Sequence, residues 1–392
     1  MSLDLYLSEM SVSDRHGGGL TLQRVLEEDL EGIGLFVHVS RFATDLPVSS
    51  RFAPRCIDVP MATESDRLRK LVGYTQASWL SRGPQILSRH GHRVADRVNQ
   101  ALPRTAEGLR ALICPQGAAS LYAVEALAAT RPIDYVTWVM DDHLIRWDGT
   151  GWRYPRDAES LFARHLQRAR AAFVISPAMG ELYRQRFGVD SQVLFGSANP
   201  SGAPQWEVTR DDDSVRLGYF GTVGRWQLDA LSLLAGSLES ANAELDIYTA
   251  DGFLPQSLDR PRVKLRGRIP PAEIPRTMRS YDAVVLPASF EPELRNMTAL
   301  NIATKMSECL VSGTVTLFIG PDYAAMARYL EARDAALLVT EAAGRAVADA
   351  IVTLRDPGRR RTLLQSARDL VESHLNTAAM HQVWLEGIAR LP

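Results

Sequence analysis

The densest run of groups able to do chemistry is VVLPASFEPELRNMTALNIATKMSECLVSG, residues 284–313. An apolar stretch ends at Pro287, and Glu291, Glu293, Arg295 and Asn296 follow before Thr304, Lys305 and Glu308. Lys305 and Glu308 are three apart, so in a helix that opens near Thr304 they share one face close to its start. A lysine there can meet a diphosphate gathered at the helix N-terminus, and a carboxylate one turn on can accept two hydrogen bonds from a ribose diol. The alternative is an i, i+3 surface ion pair worth about 0.2–0.5 kcal/mol. Lysine is scarce: Lys70, Lys264 and Lys305 are the only ones among 44 basic residues, which weakens the view of Lys305 as an arbitrary surface cation.

Other constellations follow apolar runs. Gly17, Gly18 and Gly19 precede an amphipathic stretch, where a bare backbone and a helix start suit an anion such as a diphosphate. The spacing is neither G-x-G-x-x-G nor G-K-[ST], and a flexible turn is the alternative. YVTWVM ends in Asp141, Asp142 and His143, which can orient or deprotonate an acceptor hydroxyl or, as paired carboxylates, hold a divalent cation. The plainer reading makes Asp141 a turn cap and leaves His143 solvated. RLGYFGTVGRW places Gly218, Gly221, Thr222 and Gly224 after a run, with Arg225 able to meet phosphate charge. In VKLRGRIPPAEIP, the Gly267-Arg268-Ile269 turn is either a wall for a base or sugar or only the approach to a helix near Pro271.

These groups need a frame. Short apolar runs alternate with longer amphipathic stretches, the pattern of a parallel α/β sheet. The runs are 3–10, 35–39, 111–114, 135–140, 172–175 and 192–195, then 216–220, 244–248, 263–265, 283–286, 315–318 and 336–339. Between the sets, SANPSGAPQWEVTRDDDS reads as a linker. The expected organisation is an N-terminal domain over 1–200, a linker over 201–214, a C-terminal domain over 215–370, and a helix over 371–392 that has the length to run back across both. Residues 60–110 hold one or two helices inserted between strands.

Length and charge fit this. With 392 residues, 46% hydrophobic and 23% charged, the chain is large enough for two cores. A formal charge of −2 removes the electrostatic case for a nucleic-acid binder. Cys56, Cys114 and Cys309 are far apart and support neither a disulfide framework nor a zinc cluster, which points to a reducing cytoplasm. No run reaches the ~18 apolar residues of a membrane helix, leaving peripheral contact with the inner face of a membrane open.

Taken in order, HGGG, YVTWVMDDH, FVISPAMGELYRQRFGVDSQVLFGSAN, GYFGTVG, LRGRIPPAEIP, YDAVVLPASFE and TKMSECLVSG resemble the GT-B glycosyltransferases, specifically the large retaining group of glycosyltransferase family four. The last string, K-x-x-E-x-x-x-x-G, is the most specific. The resemblance implies two Rossmann-like, doubly wound α/β domains facing a central cleft. It implies transfer of a sugar from a nucleotide diphosphate sugar to a hydroxyl of a glycan or glycolipid with retention of configuration, in bacterial polysaccharide or glycoconjugate synthesis, with no cofactor and no metal. Gly17, Gly18, Gly19, Gly221, Thr222, Arg225, Gly267, Arg268, Glu291, Thr304, Lys305 and Glu308 would then bind the donor. Asp141, Asp142 and His143 would bind the acceptor, with Asp142, His143 and Lys305 catalytic. The chain departs from the pattern in three places. Counting eight on from Glu291 reaches Ala299 rather than a glutamate, GTVGRW carries no lysine, and Met140-Asp141-Asp142-His143 replaces the acceptor-side histidine. A nucleotide-sugar epimerase or phosphorylase on the same fold, or a non-catalytic nucleotide-sugar binder, are the competing readings.

Overall fold

A computed structural model describes residues 3–13, 17–39, 48–61, 83–103, 108–199 and 214–392. Lys70, residues 14–16 of the first loop, and all of the expected linker except Ser214 lie outside them. The chain divides into two compact units, Met1–Phe195 with Met380–Pro392, and Gly196–Ala379.

The first unit is built on β1 (Leu5–Ser8), β2 (Leu35–His38), β3 (Cys56–Asp58), β4 (Leu109–Cys114), β5 (Ile133–Val139), the short β6 (Arg146–Trp147) and β7 (Trp152–Arg153), β8 (Ala171–Val174) and β9 (Gln192–Val193). The sheet order is β3-β2-β1-β4-β5-β8-β9, all parallel, while β6 and β7 form a separate antiparallel hairpin. The strands of the second unit are β10 (Val215–Phe220), β11 (Ala243–Tyr248), β12 (Val263–Leu265), β13 (Ala283–Pro287), β14 (Val315–Ile319) and β15 (Leu337–Val339), in the order β12-β11-β10-β13-β14-β15. Both sheets thus wind outward in two directions from their first strand, the Rossmann arrangement. Ligands of such sheets lie outside the carboxyl ends of the strands where the order reverses, here β1/β4 and β10/β13.

The central strands are apolar without alternation because helices cover both faces. β1, β8, β13 and β14 are buried at every position. Each expected run forms a strand near its predicted bounds, whereas β3 and the β6–β7 hairpin answer to no apolar run. Of the inserted region, the helix Pro84–Ala101 is described, its Leu87, Val94 and Val98 packed into the first core.

The tail contains Pro357–Leu370, a π-type turn Val371–Leu375 and the helix Thr377–Ile388. From Met380 on it belongs to the first unit. There Trp384 is fully buried, lies tilted against Phe173 with ring centroids 5.6 Å apart, and donates its indole N–H to Asp29 at 2.9 Å.

Candidate functional site

In the second unit the chain leaves β10 through Phe220-Gly221-Thr222-Val223-Gly224 and enters the helix Arg225–Ser237. Gly224 is the N-cap and supplies no side-chain cap, so this end presents backbone N–H groups beside the strand-order reversal. Lys305 reaches the same loop. Its ammonium donates to the Tyr219 hydroxyl at 3.0 Å and lies 4.2 Å from the centroid of that ring. The hydroxyl in turn donates to the Thr222 carbonyl at 2.6 Å, so one buried tyrosine ties the lysine to the glycine loop. Gly221 has φ of +148°, and a Cβ there would stand 3.1 Å from the ammonium nitrogen and 3.3 Å from the Tyr219 hydroxyl. Glycine is therefore required here both by backbone conformation and by the space the lysine needs.

No carboxylate among the described residues lies within ion-pair distance of Lys305. The i, i+3 pair with Glu308 is not formed. The helix expected from about Thr304 forms as Met306–Val311, with Lys305 at its N-cap and Glu308, half-buried, in its first turn, whereas the polar loop expected before it carries a further short helix, Arg295–Leu300. Thr304 and Ser307 pack on the backbone at Gly196, where Ser307 donates to the carbonyl. Lys264, by contrast, is an exposed partner of Glu244 at 2.7 Å.

The loop after β13 is held against the loop after β10. Asp229 accepts the Phe290 backbone N–H at 2.6 Å, and Arg225 meets Glu291 at 3.3 Å. The second pair is largely solvated and worth under ~1 kcal/mol, so an incoming anion can take Arg225 from Glu291 at small cost. Gly267, with φ of +74°, and the exposed Arg268 lie after β12. Gly218, read as clearance for a ligand, instead makes room for aromatic packing: a Cβ would be 2.8 Å from the Tyr281 ring.

The first unit has its own polar cluster at the β1/β4 reversal. Glu9, just past β1, accepts the Gln116 N–H at 3.0 Å, the Ser120 N–H at 2.9 Å and the Ser120 hydroxyl. Burial raises its carboxyl above the ordinary range against the pull of those bonds. Gln116 also accepts the His143 N–H at 3.2 Å and sends its amide toward Asp141 at 3.5 Å. Asp141 and His143 are thus gathered around Glu9 and Gln116, which sequence reasoning passes over. The only signal is an acid near the end of the first apolar run.

Asp142 points the other way. It is 4% exposed and accepts from the Leu144 and Ile145 N–H groups at 3.0 and 3.1 Å and from the Tyr154 and Tyr183 hydroxyls at 2.6 and 3.0 Å. That arrangement holds the turn after β5 and buries the carboxylate away from solvent.

Of the glycines of the first loop, Gly18 and Gly19 are likewise packed inward, while Gly17 is exposed. Gly17, Gly18 and Gly19 open the helix Gly17–Leu26, and a Cβ on Gly19 would run into the Ser13 backbone, 2.6 Å from its nitrogen.

No protein-family model and no curated protein matches the sequence. Solved structures do match over the full chain. Sucrose-phosphate synthase from Thermosynechococcus elongatus is 14% identical with a TM-score of 0.66, each chain covering 99% of the other. HepE from Anabaena, in complex with UDP and glucose, is 13% identical with a TM-score of 0.62 and 99% coverage of both chains. A UDP-forming α,α-trehalose-phosphate synthase from Burkholderia vietnamiensis is 12% identical with a TM-score of 0.61 and 98% coverage of both. The chain has the GT-B fold.

Proposed function

We propose that this protein is a glycosyltransferase that moves a sugar from a nucleoside diphosphate sugar to a hydroxyl acceptor with retention of configuration. The observation that carries the reading is Lys305: a half-buried ammonium at the carboxyl edge of a Rossmann-like sheet, aimed into a glycine loop and paired with a tyrosine rather than a carboxylate. A cation so placed is available to a diphosphate, and the uncapped start of the helix Arg225–Ser237 adds N–H groups and a positive dipole end. That HepE was solved with UDP and with UDP-glucose makes uridine donors the first to try.

In this reading Lys305 and Arg225 clamp the leaving diphosphate, gaining strength as charge develops on it. Glu308 accepts from the ribose hydroxyls. Glu9, Asp141 and His143 receive the acceptor, with its proton passing to the departing phosphate oxygen on the same face. Asp142 takes a supporting role, fixing the turn that carries its neighbours. Gly19 serves packing, so the first loop contributes through its backbone rather than through space cleared at that residue. A glycan or glycolipid acceptor remains part of the proposal.

The test is a thermal-shift panel of UDP-, GDP-, dTDP- and ADP-sugars, followed by product analysis with the donor that binds. A ligand at ~100 times its dissociation constant adds ~2.7 kcal/mol to stability. Sugar transfer with the donor's anomeric configuration kept supports the reading. Isomerisation of the donor, phosphorolysis of a glycoside, or binding without turnover would each replace it.

A further inference from the structure

A second cluster lies at the β3 edge of the first unit's sheet. β3 is an edge strand paired in parallel with β2, and the register places His38 opposite Asp58. Side chains alternate along a strand, so Cys56, two before Asp58, shares that face. The three groups converge: His38 Nδ1 is 3.0 Å from Asp58 Oδ1 and 4.0 Å from Cys56 Sγ, and one ligand atom from each lies within 4.8 Å of the other two.

Two features separate this cluster from ordinary alternatives. A nucleophile–base–orienter triad uses the two imidazole nitrogens in turn, one for each neighbour. Here sulfur and carboxylate approach the same nitrogen, which is the geometry of three ligands around a shared centre. The spacing also suits a metal. Bond lengths of ~2.0–2.3 Å to N, O and S in tetrahedral zinc give ligand separations of roughly 3.3 Å for N···O and 3.6 Å for N···S. The observed 3.0 and 4.0 Å therefore need only small side-chain adjustments.

We propose that His38, Cys56 and Asp58 form a binding site for a divalent transition metal of the zinc type, with three protein ligands and a fourth position open to water. Neutral imidazole, thiolate and carboxylate balance the cation's charge, and this mixed N, S, O set favours zinc or cobalt over magnesium or calcium. A bound cation's charge displaces the thiol proton of Cys56, so binding releases a proton. The three ligands differ in accessibility: His38 is buried, Cys56 half-buried and the Asp58 side chain 41% exposed, which leaves an approach from solvent on the carboxylate side. In the sheet order β3 is the edge strand, so the metal would pin it to β2, and His38 stands opposite Ser8, one residue before Glu9.

The test uses the full chain, stripped of metal by chelator and titrated with Co²⁺. One equivalent should bind with thiolate-to-cobalt charge-transfer absorption and the strong d–d bands of a tetrahedral site, and Zn²⁺ should displace it. Cys56→Ser should abolish the charge-transfer band, and Asp58→Asn should weaken cobalt binding by more than the ~10–100-fold that outer-sphere changes cost. Circular dichroism of each variant checks that it is folded, and Asp58→Asn serves where Cys56→Ser is not. Absence of stoichiometric cobalt, or a spectrum unchanged in folded Cys56→Ser, would overturn the proposal and leave a histidine–aspartate hydrogen bond with a nearby thiol.

Discussion

Lys305 could be singled out from sequence because lysine is rare in this chain and because its segment follows a buried strand. Its partner could not. Tyr219 lies 86 residues away, and no spacing rule connects the two. The pair makes a graded prediction. Tyr219→Phe keeps the ring beneath the ammonium and removes the hydroxyl, so kcat/KM should fall by about 1 kcal/mol equivalent, the size of one hydrogen bond. Tyr219→Leu removes both and should fall further. Asp142 shows the opposite failure. Sequence could place a carboxylate after β5 but not its direction, which is set by tyrosines 12 and 41 residues on. Asp142→Asn should therefore lower the unfolding free energy by about 1–3 kcal/mol, the cost of a buried acceptor network left mismatched, with donor KM unchanged. A stable variant with only kcat reduced would return Asp142 to the reacting groups.

The main strands were legible as elements because helices cover both faces of each sheet, leaving nearly uninterrupted apolar runs. β3 escaped notice for the converse reason: Cys56 and Ile57 are half-buried and Asp58 exposed, as befits a short strand at a sheet edge. The hairpin of β6 and β7 has two residues per arm and rests on an edge-on contact of Trp147 with Trp152 at 5.0 Å, too brief for a periodic signal. The two glycine loops look alike in sequence and differ in structure. Gly19→Ala should destabilise the first unit because its Cβ meets Ser13 backbone, which cannot swing aside. Gly221→Ala should instead displace the Lys305 ammonium and strain a positive φ, weakening nucleotide binding more than its cost to folding. Urea unfolding and nucleotide titration on the same two variants separate these outcomes, and the same pattern in both would contradict the distinction.

For the protein as a whole, buried imidazoles set a pH dependence. Burial pushes His165 down to about 3, and burial with Arg93 nearby pushes His90 down to about 4. In the unfolded chain both titrate near ~6.5. Between those values the unfolded state holds more protons, so stability is complete above ~6.5 and declines as pH falls toward 4. Urea midpoints at pH 7 and pH 5 should show the loss, and His165→Gln should flatten it. Two Rossmann-like units were foreseeable from alternating elements, whereas the groups each sheet gathers at its strand-order reversal depend on pairings far apart in sequence. The deciding measurement is calorimetric titration of UDP into the wild-type chain and Lys305→Ala, with unfolding midpoints of both. Removing a charge-assisted contact to a diphosphate should weaken binding by ~10–100-fold, equivalent to about 1.5–3 kcal/mol, with stability lowered by no more than about 1–2 kcal/mol, the size of the lost hydrogen bond and ring contact to Tyr219. Equal affinity for UDP in the two proteins, with the wild type binding measurably, would contradict the assignment of Lys305 to the donor diphosphate.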